Sequence, residues 1–167
     1  MPKFDTTRLV SHTPENMFAL VADVEKYPEF LPLCEGLIVK SRKERDDKTL
    51  LIAEMSIGYK AIRETFTSQV LLDPNALTIE VQYLNGPFKY LNNHWLFVPR
   101  DTGTEVNFFV DFEFNSRILQ AAIGLVFNEA VRRMVAAFHK RAIEVYGPAQ
   151  PSPRPIPRGP SLISPKS

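Results

Sequence analysis

The chain is poor in the features that mark several common protein classes. It has one cysteine, Cys34, among 167 residues, so no internal disulfide and no cysteine-based metal cluster is expected. Its longest apolar run, residues 121–127, is far shorter than the roughly 20 residues that a membrane-spanning helix needs. No apolar segment follows the first five residues, so no secretory signal peptide is predicted. We therefore expect a cytoplasmic protein with a buried, reduced thiol.

A surplus of one charge sign is also missing. The net charge is +1, from 20 Lys and Arg against 19 Asp and Glu. Three of the basic residues lie in the last 20 positions, so the rest of the chain carries a net charge near −2. Proteins that bind nucleic acid through phosphate contacts usually carry a clear basic surplus. Composition therefore gives little support to an extended nucleic-acid interface.

Motifs of catalysis and of metal binding are lacking as well. The histidines, His12, His94 and His139, fall in different predicted elements without metal-ligand spacing, and we expect them at the surface. There is no nucleophile elbow, phosphate loop or CxxC pair. Asp111 and Glu113 alternate with apolar neighbours, which is typical of a solvated strand face. The sequence predicts that the protein is not an enzyme and needs no metal or cofactor.

Strand periodicity is what the sequence has in abundance. A strand is predicted at residues 3–11, then a helix that begins at Thr13-Pro14 and a second, irregular short helix interrupted by prolines. Apolar and polar residues then alternate through six predicted strands, at residues 35–45, 48–58, 61–72, 76–83, 88–98 and 103–114. Short connections between successive strands favour an antiparallel sheet with one face in solvent.

A long helix is predicted after the last strand, at residues 115–147, with Asn115 as its cap and Gly147 at its end. At ~1.5 Å per residue it spans roughly 46 Å, and a seven-stranded sheet is roughly 30 Å wide. One helix can therefore cross the whole sheet. The predicted fold is α+β, with a curved antiparallel sheet of about seven strands wrapped around the long C-terminal helix.

The last 20 residues differ in composition from the rest. Half of the 14 prolines fall in residues 148–167, with few apolar side chains among them. Such a segment cannot bury enough surface to offset the entropy of ordering it. We expect a folded domain at residues 1–147 and a disordered tail at residues 148–167, which is solvated or serves as a docking peptide.

A sheet that grips a helix encloses space between them, and apolar side chains from both would line it. Gly124 costs about 1 kcal/mol against alanine inside a helix, and a glycine is often kept at such a position where the backbone must bend or where something must approach closely. Ordinary core packing explains the same residues, so both interpretations stay open. We expect Tyr27, Tyr59 or Asn93 to supply hydrogen-bond donors at the mouth of this space. The predicted lining residues are Tyr27, Phe30, Leu31, Met55, Phe66, Val81, Trp95, Phe97, Phe108, Val110, Phe112, Ile123, Phe127 and Met134.

Basic residues on the long helix form a second candidate surface. They are Arg132, Arg133, Lys140 and Arg141. A solvated helix face explains them without further function. The alternative is contact with an anionic partner, either phospholipid headgroups or RNA.

Three segments carry a resemblance to a known family. They are VEKYPEFLPLC at residues 24–34, GPFKYL at residues 86–91 followed by WLF at 95–97, and DFEF at residues 111–114 ahead of Phe127 and AAF at 136–138. In this order they resemble the coenzyme-Q-binding START-like family of the polyketide cyclase/dehydrase superfamily. The resemblance covers residues 3–146 and leaves out the proline-rich segment.

The resemblance implies a helix-grip fold with a hydrophobic cavity for ubiquinone or a similar polyprenyl lipid. The implied role is non-enzymatic, in respiratory electron transport or quinone biosynthesis, with the protein peripheral at the inner membrane. The same family includes bacterial ribosome-association toxins, so binding to the large ribosomal subunit is the alternative. The superfamily label implies a third function, that of a small-molecule cyclase.

Overall fold

The computed structural model describes residues 3–59 and 62–148. These residues form seven strands, three α-helices and a 3-10 turn at Val24–Lys26. In chain order the elements are β1 (Lys3–Val10), α1 (Pro14–Ala22), α2 (Tyr27–Phe30), β2 (Cys34–Arg45), β3 (Lys48–Tyr59), β4 (Ile62–Asp73), β5 (Thr78–Asn85), β6 (Phe88–Arg100), β7 (Gly103–Phe114) and α3 (Arg117–Tyr146). The proposed tail at residues 148–167 falls, apart from Pro148, outside the described residues.

The seven strands form one antiparallel sheet in the order β1-β7-β6-β5-β4-β3-β2. Strands β2 to β7 follow one another as hairpins, because each connection is short. The register shifts twice in β2, between Cys34 and Gly36 and between Val39 and Ser41. Bulges of this kind bend a strand and strengthen its twist. The expected α+β helix-grip architecture is confirmed.

The two ends of α3 are held by specific contacts. The helix begins one residue later than the predicted cap: Ser116 accepts a hydrogen bond from the Leu119 amide at 3.2 Å. Asn115, the predicted cap, instead donates its backbone amide to the Pro87 carbonyl at 2.7 Å, because it follows β7 directly beside the β5–β6 hairpin. At the other end the Gly147 amide bonds to the Ile143 carbonyl at 2.8 Å. With 30 residues, α3 is about 45 Å long.

Apolar side chains of the concave sheet face form two clusters. The larger lies under α1 and the second half of α3 and includes Leu51, Phe97 and Phe138. The smaller is aromatic and lies under the first half of α3. In it Phe88 stacks on Phe114 with ring centroids 4.6 Å apart and meets Phe66 edge to face at 5.3 Å. The space between sheet and helix runs from one cluster to the other.

His12 is buried, with 2% of its surface exposed, so the prediction of a surface role is wrong. Its Nε2 lies 3.0 Å from the Gly147 carbonyl oxygen, and its own carbonyl accepts a hydrogen bond from Thr104 at 2.7 Å. The link between β1 and α1 thus fastens the end of α3 to β7. The sequence pattern could not reveal the contact between His12 and Gly147, because these residues are 135 positions apart in the chain.

Within the described ranges, no helix has the length and apolar character that crossing a membrane requires.

Candidate functional site

A cavity of about 260 Å³ lies between the concave sheet face and α3. Strands β2 to β7, α2 and α3 all contribute to its wall. Among the described residues that line it, none carries a charge. The lining residues are Val24, Tyr27, Leu31, Leu33, Leu37, Ala53, Met55, Ile57, Phe66, Ser68, Val70, Ile79, Val81, Phe88, Leu91, Asn93, Trp95, Phe108, Val110, Phe112, Phe114, Ile123, Phe127, Ala130, Val131, Met134 and Phe138.

Two polar side chains, Ser68 and Asn93, interrupt this apolar wall. Ser68 lies on β4 and is 5% exposed. Asn93 lies on β6, where its Nδ2 donates to the Phe109 carbonyl at 2.9 Å. On the intervening strand β5, Ser68 pairs with Tyr83 and Asn93 pairs with Val81, so the two polar residues stand roughly 12 Å apart on the sheet. A hydroxyl and an amide can each donate and accept hydrogen bonds, so the wall can hold a polar group at two positions.

Tyr27 brings a third polar atom near the wall, but that atom is already engaged. Its hydroxyl donates to the Val21 carbonyl. Burial raises the pKa of Tyr27 far above its usual range, and the neighbouring Cys34 and Asp23 raise it further. The group therefore stays protonated and holds α1 against α2. Since a phenol has one proton to donate, Tyr27 cannot be the donor to a ligand that the sequence suggested.

Cys34 lies at the start of β2 beside this wall. Burial raises the pKa of its thiol to about 11, and a backbone hydrogen bond at Gly36 lowers it only in part. Sγ lies 3.4 Å from the Gly36 carbonyl oxygen, to which the thiol can donate. The thiolate is the reactive form of cysteine, and little of it exists at neutral pH. The buried thiol predicted from the sequence is found here as a packing residue.

The structure brings twelve of the fourteen predicted lining residues together on this wall. Phe30 and Phe97 are the two that it places elsewhere. Phe30 packs edge to face on Phe138, with ring centroids 5.4 Å apart, and lies under the Arg141 guanidinium. Phe97 is 1% exposed and meets the ring of Phe18 on α1 at 5.9 Å. Alternation gave the correct face for Phe97, but α1 covers that part of the sheet.

Two further expectations about the cavity are wrong. Gly124 faces solvent: a Cβ placed on it would meet no atom within 4 Å, so the residue does not mark a close approach to a ligand. Tyr59 is not among the lining residues; the Arg133 guanidinium lies over its ring at 5.9 Å. At about 100° per residue, position 124 lies to one side of the strip formed by Ile123 and Phe127, on an exposed flank of the helix.

Sequence reasoning missed about half of the wall. Ser68 was missed because it is a polar residue between Thr67 and Gln69, with no local pattern to mark its face. A register shift at Thr67 and Ser68 adds to this, since a bulge breaks the alternation on which face assignments rest. Ala130 and Val131 could have been found from their spacing to Phe127 and Met134 on the helix.

The four basic residues of α3 do not form one free patch. Arg141 is bound to Glu29 at 3.0 Å and lies 3.7 Å from Glu144, while Arg133 pairs with Glu129 at 3.3 Å. No ion pair joins Arg132 or Lys140 to an acidic group in residues 3–59 and 62–148, and both are exposed. A contact with an anionic partner would therefore depend on Arg132 and Lys140.

No group of three or more His, Cys, Asp or Glu residues in the described part of the chain could hold a metal ion. The wall of the cavity thus offers two kinds of interaction, apolar contact and neutral hydrogen bonds.

Comparison with known proteins agrees with this architecture. Residues 10–139 match the model of the family described as polyketide cyclase/dehydrase and lipid transport. The ribosome association toxin RatA of Rickettsia prowazekii is 36% identical over 148 residues, which cover 87% of this chain and 99% of that protein. The mitochondrial coenzyme Q-binding protein COQ10 homolog B of Xenopus laevis is 30% identical over 149 residues, covering 87% of this chain and 59% of that protein.

Solved structures show the same fold. An 18 kDa protein from Caulobacter crescentus superposes with a TM-score of 0.76 at 34% identity, covering 89% of this chain and all of that one. An aromatase/cyclase from Streptomyces superposes with a TM-score of 0.71 at 17% identity, covering 86% of this chain and 95% of that one. At that identity the second likeness concerns the fold alone.

Proposed function

Because this chain belongs to the polyketide cyclase/dehydrase and lipid transport family, we propose that it binds a prenylated quinone, or a similar polyprenyl lipid with a polar ring, in the cavity under α3. The observation that carries the proposal is the wall itself, which is apolar and uncharged over 260 Å³ and has two polar side chains. The similarity to a coenzyme Q-binding protein supports the same ligand class.

The size of the cavity limits how much of such a lipid it can hold. An engineered apolar cavity of about 150 Å³ binds benzene, so 260 Å³ accommodates a quinone ring and about one or two isoprene units. Burying the five carbons of one unit contributes up to about 4 kcal/mol, at ~0.8 kcal/mol per CH₂. Useful affinity therefore needs no charged contact.

Ser68 and Asn93 would orient the ring. A quinone carbonyl accepts hydrogen bonds, and each bond of this kind contributes about 0.5–1.5 kcal/mol net. A plain hydrocarbon would form no such bond, and the Asn93 amide would keep only its own hydrogen bond to the Phe109 carbonyl. The two residues would thus favour a ring-bearing lipid over a plain hydrocarbon of the same volume.

The proposed role is binding rather than catalysis. The wall supplies a hydroxyl and an amide, which position a ligand but do not exchange protons near neutral pH. Tyr27 adds a phenol whose pKa is raised further from that range by burial. Retention of a quinone, delivered to or taken from another protein or a membrane, is the function that these groups support.

Extraction of the purified protein with organic solvent, followed by mass spectrometry, tests the proposal. We expect a prenylated quinone to copurify, and a short-chain quinone to bind the delipidated protein. Ser68→Ala should weaken quinone binding about two- to tenfold and leave the binding of a hydrocarbon such as squalene unchanged. The matched control is Ser56→Ala, a serine on β3 that bonds Thr65 outside the cavity. Wild-type protein that carries no lipid and binds no added quinone would contradict the proposal.

Association with the large ribosomal subunit is the second candidate function. The observation that favours it is the name of the relatives that match at higher identity than the coenzyme Q-binding protein, 36% against 30%. The exposed cations Arg132 and Lys140 are suited to phosphate contact.

Co-sedimentation with large subunits should then weaken as salt is raised, since counterions are released on binding. Arg132→Ala with Lys140→Ala should weaken it further, with Lys43→Ala on β2 as control. Binding that none of these changes affects would exclude this role for α3.

A further inference from the structure

The first half of α3 has apolar side chains on two faces. One face lines the cavity and the other is exposed to solvent. Ile123 and Phe127 lie on the cavity wall. On the outside, Ile118 is 82% and Leu125 is 88% exposed, with the exposed Ala121 between them. Steps of three, four and seven residues place Ile118, Ala121 and Leu125 along one line of the helix, which we call the outer stripe. A surface helix normally turns its apolar stripe inward and keeps charged residues outside.

Positive charges bracket the outer stripe. Arg117 precedes Ile118, and Arg132 lies seven residues after Leu125 on the same face. Within the described ranges neither arginine has an ion-pair partner. Residues 117–128 contain no acidic side chain, and the next one, Glu129, pairs with Arg133 at 3.3 Å. Apolar side chains next to unpaired arginines match the two layers of an anionic lipid surface, acyl chains below and phosphates above.

The cavity volume supplies an independent reason for a lipid surface. A space of 260 Å³ holds a ring and about one or two isoprene units, so a longer prenyl chain must leave it. Each further unit exposed to water costs up to about 4 kcal/mol, and a bilayer removes that cost. This step rests on the proposed function. The helix that forms the cavity wall is the same one that carries the outer stripe, so a docked membrane would lie one helix diameter from the bound ring.

We propose that the first half of α3 docks on an anionic phospholipid bilayer. Ile118 and Leu125 enter the boundary between headgroups and acyl chains, and Arg117 and Arg132 contact the lipid phosphates. The lipid's polar ring then occupies the cavity while its distal chain remains in the bilayer. RNA is a poorer match for this surface, since two large aliphatic side chains at more than 80% exposure would meet a phosphate backbone.

Vesicle co-sedimentation of the full chain tests the docking surface. The probes are vesicles of phosphatidylcholine with about one third phosphatidylglycerol, and vesicles of phosphatidylcholine alone. We expect binding to the anionic vesicles, weakened more than tenfold by Leu125→Glu and about fivefold by Arg132→Ala. The matched control is Leu9→Glu, since Leu9 is 68% exposed on the edge strand β1. It should bind as the wild type does. Because Leu125 is almost fully exposed, its replacement should leave the melting temperature unchanged.

Several results would overturn the docking proposal. Equal vesicle binding by wild type and Leu125→Glu is one. Another is a wild type that ignores vesicles but sediments with ribosomal subunits in a manner that Leu125→Glu abolishes. A third is a stripe that holds two copies of the chain together, seen as a dimer in analytical ultracentrifugation that Leu125→Glu converts to a monomer without vesicle binding in either protein.

Lipid extraction separates this proposal from the function of the cavity. Leu125→Glu should keep the ability to take up a short-chain quinone added in solution, because its side chain does not line the cavity. Quinone uptake by a wild type that binds no vesicles would overturn the docking surface alone. Vesicle binding by a wild type that takes up no quinone would overturn the cavity's function and leave the docking surface standing.

Discussion

A pair of alanines on α3 distinguishes a ligand cavity from an ordinary core. Ala130 is 4% exposed and lies on the cavity wall, whereas Ala142 is 1% exposed in the packed cluster under α1. Replacing either by leucine adds the same three carbons to the same helix. The difference in helix propensity is therefore common to both variants and cancels in the comparison.

The expected effects on stability differ in sign. At Ala142 the added carbons must displace packed neighbours, which lowers the free energy of unfolding by about 1–3 kcal/mol. At Ala130 they enter empty space, and filling a cavity raises stability by about 0.5–2 kcal/mol. The two variants should therefore differ by about 1.5–5 kcal/mol, measured by denaturant unfolding of delipidated protein.

The same variants should differ in lipid content. Ala130→Leu occupies ligand space, so copurifying or added quinone should fall severalfold below the wild-type level. Ala142→Leu should retain quinone in whatever fraction is folded. Quinone is quantified by mass spectrometry after solvent extraction. The reasoning would be refuted if both variants lost stability equally and the wild type held no lipid, because the space under α3 would then be closed by packing.

Three further predictions concern the rest of the chain. Deleting residues 148–167 should leave the melting temperature within a few degrees of the full chain, because that segment has too few apolar side chains to form a core. A large drop would show that it packs on the domain. Burial raises the pKa of the Cys34 thiol from near 9 to about 11. The stability that the buried, protonated thiol contributes is therefore complete below pH 9 and is lost as pH rises toward 11. Cys34→Ala should flatten the decline in melting temperature over that interval, and an unchanged decline would contradict the raised pKa. Gly103→Ala should lower the free energy of unfolding in denaturant by more than 1 kcal/mol, because Gly103 has φ +138° and a Cβ there would lie 2.1 Å from the Val10 carbonyl oxygen. Gly124→Ala is the control, since its added Cβ meets no atom within 4 Å and alanine has the higher helix propensity.

The sequence by itself determined the order and type of the elements. In β7, Val106, Phe108 and Phe112 are buried at even-numbered positions, and the odd-numbered positions between 105 and 113 are polar except for Phe109. This period of two assigns each side chain to a face without knowledge of the rest of the chain. The length of α3 followed from its periodic apolar residues and from the stop at Gly147. These properties are local, because backbone geometry sets the period of a strand or helix.

Which side chains on a given face meet the cavity was decided only by the tertiary structure. Phe97 and Trp95 share one face of β6, yet α1 covers Phe97, while Trp95 stays on the cavity wall. The partners of charged groups were decided in the same way: Arg141 is bound to Glu29, 112 residues earlier in the chain, and Arg132 has no ion pair within the described ranges.

Ser68 and Gly124 show why local patterns did not identify every residue of the cavity wall. A bulge at Ser68 breaks the alternation of β4, so its place on the wall depends on how the bent strand pairs with β5. Gly124 lies on an exposed flank of α3, because the partly buried Ile123 and Phe127 turn toward the sheet and only that side of the helix packs there. Local periodicity determines which side chains lie on each face of a sheet. Whether a helix or a cavity covers those side chains depends on contacts between elements that are distant in the chain.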